Sequence, residues 1–479
     1  RDGYVTNLFN GDDYADIDQL TGRLLVSYTP SDATRVSLSV DALESDSLAQ
    51  PVQFLTDTVP VRGVDVVVSD GPHSLAQSHL RKDETRDLGV GLTIDHDLGD
   101  YTLTSVTSYR KTEADTQDDF DRLPQARQES LSDVSQRVVT QELRISSPTD
   151  GWYDYVAGLY FFDQKNDADF IIALGPDWFG PPFVGNALTF ESVDVRSYAG
   201  FAHINFHLSD QTTLFGGVRY TDEKKETSHF QTGEGFGVDA SLVLAAFGGP
   251  IGNIEIPDVK SAEPSWTIGL RHQVSDDLMT YASVSTGFKS GAINTTNFLS
   301  SATFAAGIVV DPEFVTSYEL GAKSNWLDGR LRLNAAIFYL DYKDLQISSF
   351  NPTAGPNGAG VILLQNADGV TSQGFELEVV AQPTQGLSFS GGIGYVDSTF
   401  ETLEGILDPK GGPFIDASGN QVPRSPEWTI NAAVQYEKQL AGGATWLARL
   451  DYNYQDESFT SAGVANLAEQ QLPSYSLIN

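Results

Sequence analysis

The chain has 479 residues, among them 44 Gly, 26 Phe, 19 Tyr and 6 Trp, with a formal net charge of -36 and no cysteine. That acidity excludes a nucleic-acid partner, which needs clustered Lys and Arg against phosphate, and the lack of cysteine excludes disulfides, thiolate metal sites and cysteine nucleophiles. No apolar run reaches about 18 residues, so no helix is expected to span a bilayer, whereas a β-barrel hides its membrane signal in alternation.

The opening Arg1-Asp2-Gly3-Tyr4-Val5 reads as the end of a strand already under way, and the chain is expected to be a piece of something longer. Strands then come in pairs on a period of two. Leu20 to Thr29 pairs with Arg35 to Leu43, Thr85 to Ile94 with Tyr101 to Thr112, and Val138 to Ile145 with Tyr153 to Phe162. Next come Tyr198 to Leu208 with Thr212 to Asp222, Trp266 to Val274 with Met279 to Thr286, and Ser317 to Trp326 with Leu331 to Tyr342. Gly374 to Ala381 pairs with Leu387 to Val396, and a final strand begins at Tyr475.

The hairpin Glu427 to Tyr454 shows the repeating unit. Trp428, Ile430, Ala432, Val434 and Tyr436 form an apolar face, and Thr429, Asn431, Ala433, Gln435 and Glu437 oppose it. Trp446, Ala448, Leu450, Tyr452 and Tyr454 continue the apolar face after the turn. From Trp428 to Tyr436 is roughly 26 Å along a strand, or roughly 20 Å of height at a tilt near 40°, close to the aromatic-edged band of an outer-membrane barrel. About eight tight turns alternate with about eight long loops, which a compact soluble domain rarely carries. The fold expected is an all-β transmembrane antiparallel barrel with about 17 strands represented. Because bacterial single-chain barrels are even-numbered, further strands are expected beyond the ends.

Five stretches resemble the TonB-dependent receptors of Gram-negative outer membranes: Tyr281 to Gly291 (YASVSTGFKSG), Phe314 to Lys323 (FVTSYELGAK), Asn334 to Gln346 (NAAIFYLDYKDLQ), Asn366 to Glu378 (NADGVTSQGFELE) and Val422 to Thr429 (VPRSPEWT). The resemblance implies a 22-strand barrel in the full-length protein, with residues 1–479 a partial barrel domain and the N-terminal plug absent from this chain. It implies a multi-pass barrel in the outer membrane, among lipid and lipopolysaccharide, energised by the TonB complex through the missing N-terminal region. The implied function is energised uptake of a scarce ligand, with a ferric siderophore or other iron complex first and an oligosaccharide, cobalamin or other nutrient second. A passive porin or a structural surface barrel is the alternative of another class.

No catalytic residue, metal site or cofactor is expected. His203 and His207 share one face of a strand about 13 Å apart, too far to hold one ion, and read as interface or lumen histidines. Gly233-Glu234-Gly235-Phe236-Gly237 lacks the continuation of a phosphate loop and reads as a flexible loop. Asp118, Asp119 and Asp121 lack EF-hand spacing and read as a hydrated loop end. Asp239 to Phe247 has the composition of a short helix. Within Phe170 to Phe190, read as an outward loop, Trp178, Phe179 and Phe183 are the ligand-binding candidates, since aromatics there would grip a planar or apolar ligand.

Overall fold

The computed structural model describes residues 2–48, 74–75, 77–78, 82–119, 128–175, 177, 184–236, 250–294, 299, 307–351, 361–403, 406–407, 414–460 and 465–479. Among them, seventeen wall strands follow one another around a barrel, each antiparallel to the next. The first eight are β1 (Gln19–Ser31), β2 (Thr34–Leu48), β3 (Lys82–Leu98), β4 (Tyr101–Asp119), β5 (Gln128–Ser146), β6 (Tyr153–Leu174), β7 (Val184–Ser209) and β8 (Thr212–Phe236). The ninth, β9, comes in two consecutive runs, Gly252–Glu255 and Val259–Ser275, both paired to β8. The rest are β10 (Leu278–Lys289), β11 (Glu313–Trp326), β12 (Leu331–Asn351), β13 (Val361–Thr384), β14 (Leu387–Thr402), β15 (Trp428–Gln439), β16 (Thr445–Gln455) and β17 (Tyr475–Ile478). The ring closes where β17 returns to β1. Both are exposed at every residue, since the four of β17 can cover only part of the thirteen of β1.

Every strand pair expected from alternation is present, and the register explains why. Tyr318 stands opposite Tyr339, Leu320 opposite Ile337 and Ala322 opposite Ala335, so one face of the sheet carries a continuous apolar row. It continues through Phe375, Tyr395 and Trp428. Leu320, Ile337 and Leu450 are each more than half exposed, which suits a surface whose solvent is hydrocarbon. Aromatics edge this band. Phe161 and Tyr198 lie 5.2 Å apart and Tyr395 and Trp428 4.8 Å apart at its outer edge, with Trp152 and Phe206 at 5.7 Å and Tyr436 and Trp446 at 5.8 Å near the tight turns. The turns are short because a few residues adopt left-handed backbone, such as Gly99 at φ 67° and Gly386 at φ 82°.

The strands are longer than their alternation suggests. β7 has 26 residues and β8 has 25, whereas about 10 suffice to cross the bilayer. The surplus is polar on both faces, as in Lys224-Lys225-Glu226-Thr227-Ser228 of β8, so it has no period-two hydropathy to read. Three expectations that fall on these outer strand ends are corrected. Gly233 to Phe236 is the outer end of β8 and not a flexible loop. Asp118 and Asp119 end β4, and Asp119 is wholly buried, accepting hydrogen bonds from the Ser78 amide at 2.9 Å and hydroxyl at 3.2 Å. Phe170 and Phe190, expected in a loop, belong to β6 and β7. Val5, expected to end a wall strand, instead lies in a small sheet of Val5–Asn7 with Asp13–Tyr14 and Ser74–Leu75.

Candidate functional site

Three of the family-like stretches, separate in sequence, meet at the outer end of the lumen. Gln346 donates from Nε2 to the carbonyls of Ser290 and Asp311, both at 3.0 Å, and its amide donates to Glu313 Oε2 at 2.8 Å. Asn366 donates from Nδ2 to the Asp311 carbonyl at 3.0 Å and the Asp344 carbonyl at 2.6 Å, and its Oδ1 accepts from the Asp311 amide at 2.9 Å. Asp344 needs such support, since its backbone is left-handed at φ 54°. Lys225, facing inward on β8, completes the knot by donating to Ser290 Oγ at 2.7 Å and to the Gly291 carbonyl at 2.8 Å. A Cβ on Gly291 would lie 2.9 Å from both the Val310 carbonyl and a Val259 methyl, so only glycine fits there. The motif residues therefore clamp the polar outer parts of β8 and β10 to β13 where alternation gives no core. An apolar cluster of Ile347, Ala367, Val370, Phe400, Leu403 and Ala417 roots the neighbouring loop at the same end.

Below this rim the inward face is polar, with bulky groups laid flat against it. Each stands directly opposite a glycine on the next strand: Phe201 opposite Gly158, His203 opposite Gly217, Phe215 opposite Gly269, Tyr281 opposite Gly321, Phe338 opposite Gly374 and Arg110 opposite Gly89. The missing Cβ makes room for the ring, as at Gly158, where an added Cβ would sit 2.7 Å from Phe201 Cζ. Large side chains thus line the lumen without crossing it.

Two patches of opposite character result. On β6 to β9 the Arg219 guanidinium lies 5.2 Å from the Tyr160 ring centroid and 5.9 Å from that of Phe201, and Arg271 lies 5.5 Å from Phe215. Neither arginine is in ion-pair contact with a carboxylate among the described residues, although Arg271 donates to Asn205 at 3.3 Å. On β10 to β13, Tyr281 donates to Glu319, Asn334 donates to Glu378 at 3.1 Å, and Glu376 and Lys323 stand alongside. The first patch suits anionic or aromatic groups through charge and ring faces, and the second suits cationic ones.

Trp178, Phe179 and Phe183 lie outside the described residues, as do Asp121 and Asp239 to Phe247. His203 and His207 face the lumen together: His203 stacks on Phe215 at 6.1 Å, and His207 contacts Asp154 at 2.7 Å and Thr213 at 3.3 Å. Among the described residues no group of three or more metal-ligating side chains is placed to hold an ion. Arg219, Arg271 and the glycine partners are not singled out by the sequence reading. The inward alternation of large residue and glycine on adjacent strands is the signal that would have found them.

The family description "TonB dependent receptor-like, beta-barrel" matches residues 47–479. A metal-pseudopaline receptor, CntO of Pseudomonas aeruginosa, is 28% identical over 216 residues, 44% of this chain and 26% of that protein. The ferric-pyoverdine M114 receptor PbuA of a Pseudomonas species is 26% identical over 222 residues, 45% of this chain and 23% of that protein. Among solved structures, the ferric yersiniabactin uptake receptor FyuA of Yersinia pestis superposes with a TM-score of 0.73 at 18% identity, covering 100% of this chain and 65% of that one. The siderophore receptor PiuA of Acinetobacter baumannii gives 0.69 at 17% identity, covering 98% and 68%. The matches thus span about a quarter of these curated relatives and about two thirds of the solved receptors.

Proposed function

Since the chain belongs to the TonB-dependent receptor β-barrel family and lies in a Gram-negative outer membrane, we propose that it forms the wall of a longer receptor that imports a metal chelate, with a ferric siderophore as the first cargo. The observation that supports this most is that the family match is accompanied by curated relatives named for metal and ferric chelates. The polar lumen fits the same reading. Arg219 and Arg271, set among Tyr160, Phe201 and Phe215, offer guanidinium and ring faces to a chelate with acidic and aromatic groups or to an inserted plug, despite the net charge of -36. In this reading the TonB complex supplies the energy and acts on a plug in the full-length receptor, while the strands described here supply wall, rim and path. The family is one of transport receptors, and no step in this role makes or breaks a bond.

The test is uptake of radioiron by the source bacterium with the gene deleted and restored, using a panel of ferric siderophores. Loss of uptake for one chelate, restored by the gene, is the expected result. Unchanged uptake of every chelate, with loss of growth on an oligosaccharide or on cobalamin, would overturn the cargo.

A further inference from the structure

Above the membrane, the register of the outer strand ends sets one kind of charge in line. Asp46 on β2 stands directly opposite Glu84 on β3, Glu84 opposite Asp115 on β4, Asp115 opposite Asp133 on β5, and Asp133 opposite Asp169 on β6. The row passes on to Phe190 on β7 and Phe230 on β8, whose ring centroids lie 6.0 Å apart. It runs on the outer surface, because Asp169 is eight residues from Phe161 and Phe190 eight from Tyr198, so both share the face of the aromatic edge. Eight residues are roughly 26 Å along a strand, or roughly 20 Å of height at a tilt near 40°. Headgroups reach only about 5–8 Å beyond the hydrocarbon, so the row stands clear of them.

Like charges directly opposite across a sheet repel, and little offsets them here. Among the described residues, Glu84 alone of the five carboxylates is in ion-pair contact, with Lys82. The bases farther down the same strands are already engaged: Arg86 with Glu44, Lys111 with Glu113, Arg137 with Asp163 and Lys165 with Asp167. Loss of water around it, and then Asp115 and Asp169, push the Asp133 carboxyl above the usual carboxylate range. Two residues farther out on the same face, Leu131, Ile171 and Leu188 stand in register and are half-buried. Leu131 and Ile171 line, with Asp115, Asp133 and Asp169, an open hollow of about 430 Å³. Phe190 and Phe230 are 39% and 37% exposed, so this apolar border faces water and not hydrocarbon.

We propose that this face docks a cationic amphipathic helix of a partner protein, its basic stripe on the carboxylate row and its apolar stripe on Leu131, Ile171, Leu188, Phe190 and Phe230. Charge complementarity identifies the occupant, and spacing fits it. Five carboxylates on neighbouring strands span about 19 Å at about 4.8 Å per step, the length of about 13 helical residues, and bases one turn apart recur every 5.4 Å or so. A single metal ion does not suit a straight row: among the described residues no three such side chains are placed to hold one. A second copy of the chain is opposed by its net charge of -36.

The full-length receptor in phosphocholine nanodiscs tests this against a synthetic helix of about 14 residues, with lysines on one stripe and leucines on the next, by fluorescence anisotropy. Saturable binding is expected, weakened about tenfold in D115N/D133N/D169N because each exposed ion pair contributes modestly. No change is expected in D210N/D276N/D328N, which removes the same charge at the tight turns on the far side of the membrane. F190S/F230S is expected to weaken binding of this peptide but not of one with serine in place of leucine. The Asn variants relieve repulsion and are expected to fold, which heat-modifiable gel migration checks. D115K/D133K/D169K is expected to exchange preference for the glutamate counterpart of the peptide. Equal binding by the native protein and D115N/D133N/D169N, or an equal loss in D210N/D276N/D328N, would overturn the proposal. So would a native protein that ignores the lysine peptide, whether or not it takes up calcium alone. Because the readout is peptide binding, its failure is distinct from failure of the cargo assignment.

Discussion

Moving a positive charge by one residue along β11 separates the two faces of the barrel. Lys323 points into the lumen and its neighbour Ala322 points out, opposite Thr280 and Ala335. Ala322 lies midway between Tyr318 and Trp326, four residues from each, or about 13 Å along the strand and about 10 Å in height at a tilt near 40°. A lysine near the midplane of an outer-membrane barrel costs about 2–4 kcal/mol. Its stem lets the ammonium reach toward the headgroups, so Ala322→Lys is expected near the lower end, about 2 kcal/mol. Removing the charge that is already there should matter less. Lys323 lies 5.9 Å from the Tyr281 ring in an exposed setting, and Lys323→Ala is expected to cost under about 1 kcal/mol. Guanidinium unfolding of the full-length receptor in lipid vesicles, followed by tryptophan fluorescence, measures both. An Ala322→Lys barrel as stable as the native one, or a larger loss for Lys323→Ala, would refute the assignment of the two faces.

Gly158→Ala is expected to cost about 1–3 kcal/mol, because the new Cβ would lie 2.7 Å from both the Leu143 carbonyl and Phe201 Cζ. Adding Phe201→Ala should recover the ring's share but not the carbonyl's, and simple additivity in the same unfolding assay would contradict the pairing. Asn366→Ala removes three hydrogen bonds at the rim and is expected to loosen residues 311–313 and Asp344 by about 1–3 kcal/mol, read as faster amide exchange there. In the loop after β14, the Ser418 hydroxyl and amide hold the Asp416 carboxyl below the usual carboxylate range. A lowered folded pKa adds stability above the unfolded value and loses it as pH falls through the folded one. The protection of the Ser418 amide, taken against its intrinsic exchange rate at each pH, should therefore fall as pH drops through the lowered Asp416 pKa, and Asp416→Asn should abolish that dependence.

The sequence by itself determined which strands cross the membrane and in what order. Alternation such as Trp428 to Tyr436 survives any environment with one apolar and one polar side, and tight turns tie each strand to its neighbour. The motifs around Ser290, Gln346 and Asn366 were also legible as a resemblance, but not as one clamp. The tertiary structure alone decided the outer half of the strands, since residues polar on both faces are held by register and rim hydrogen bonds rather than by hydropathy. It alone placed Phe201 on Gly158 and Phe215 on Gly269, and it alone aligned Lys111, Arg137 and Lys165 across three strands. Which residue stands opposite which depends on the stagger of neighbouring strands around the ring, a quantity that no single strand contains.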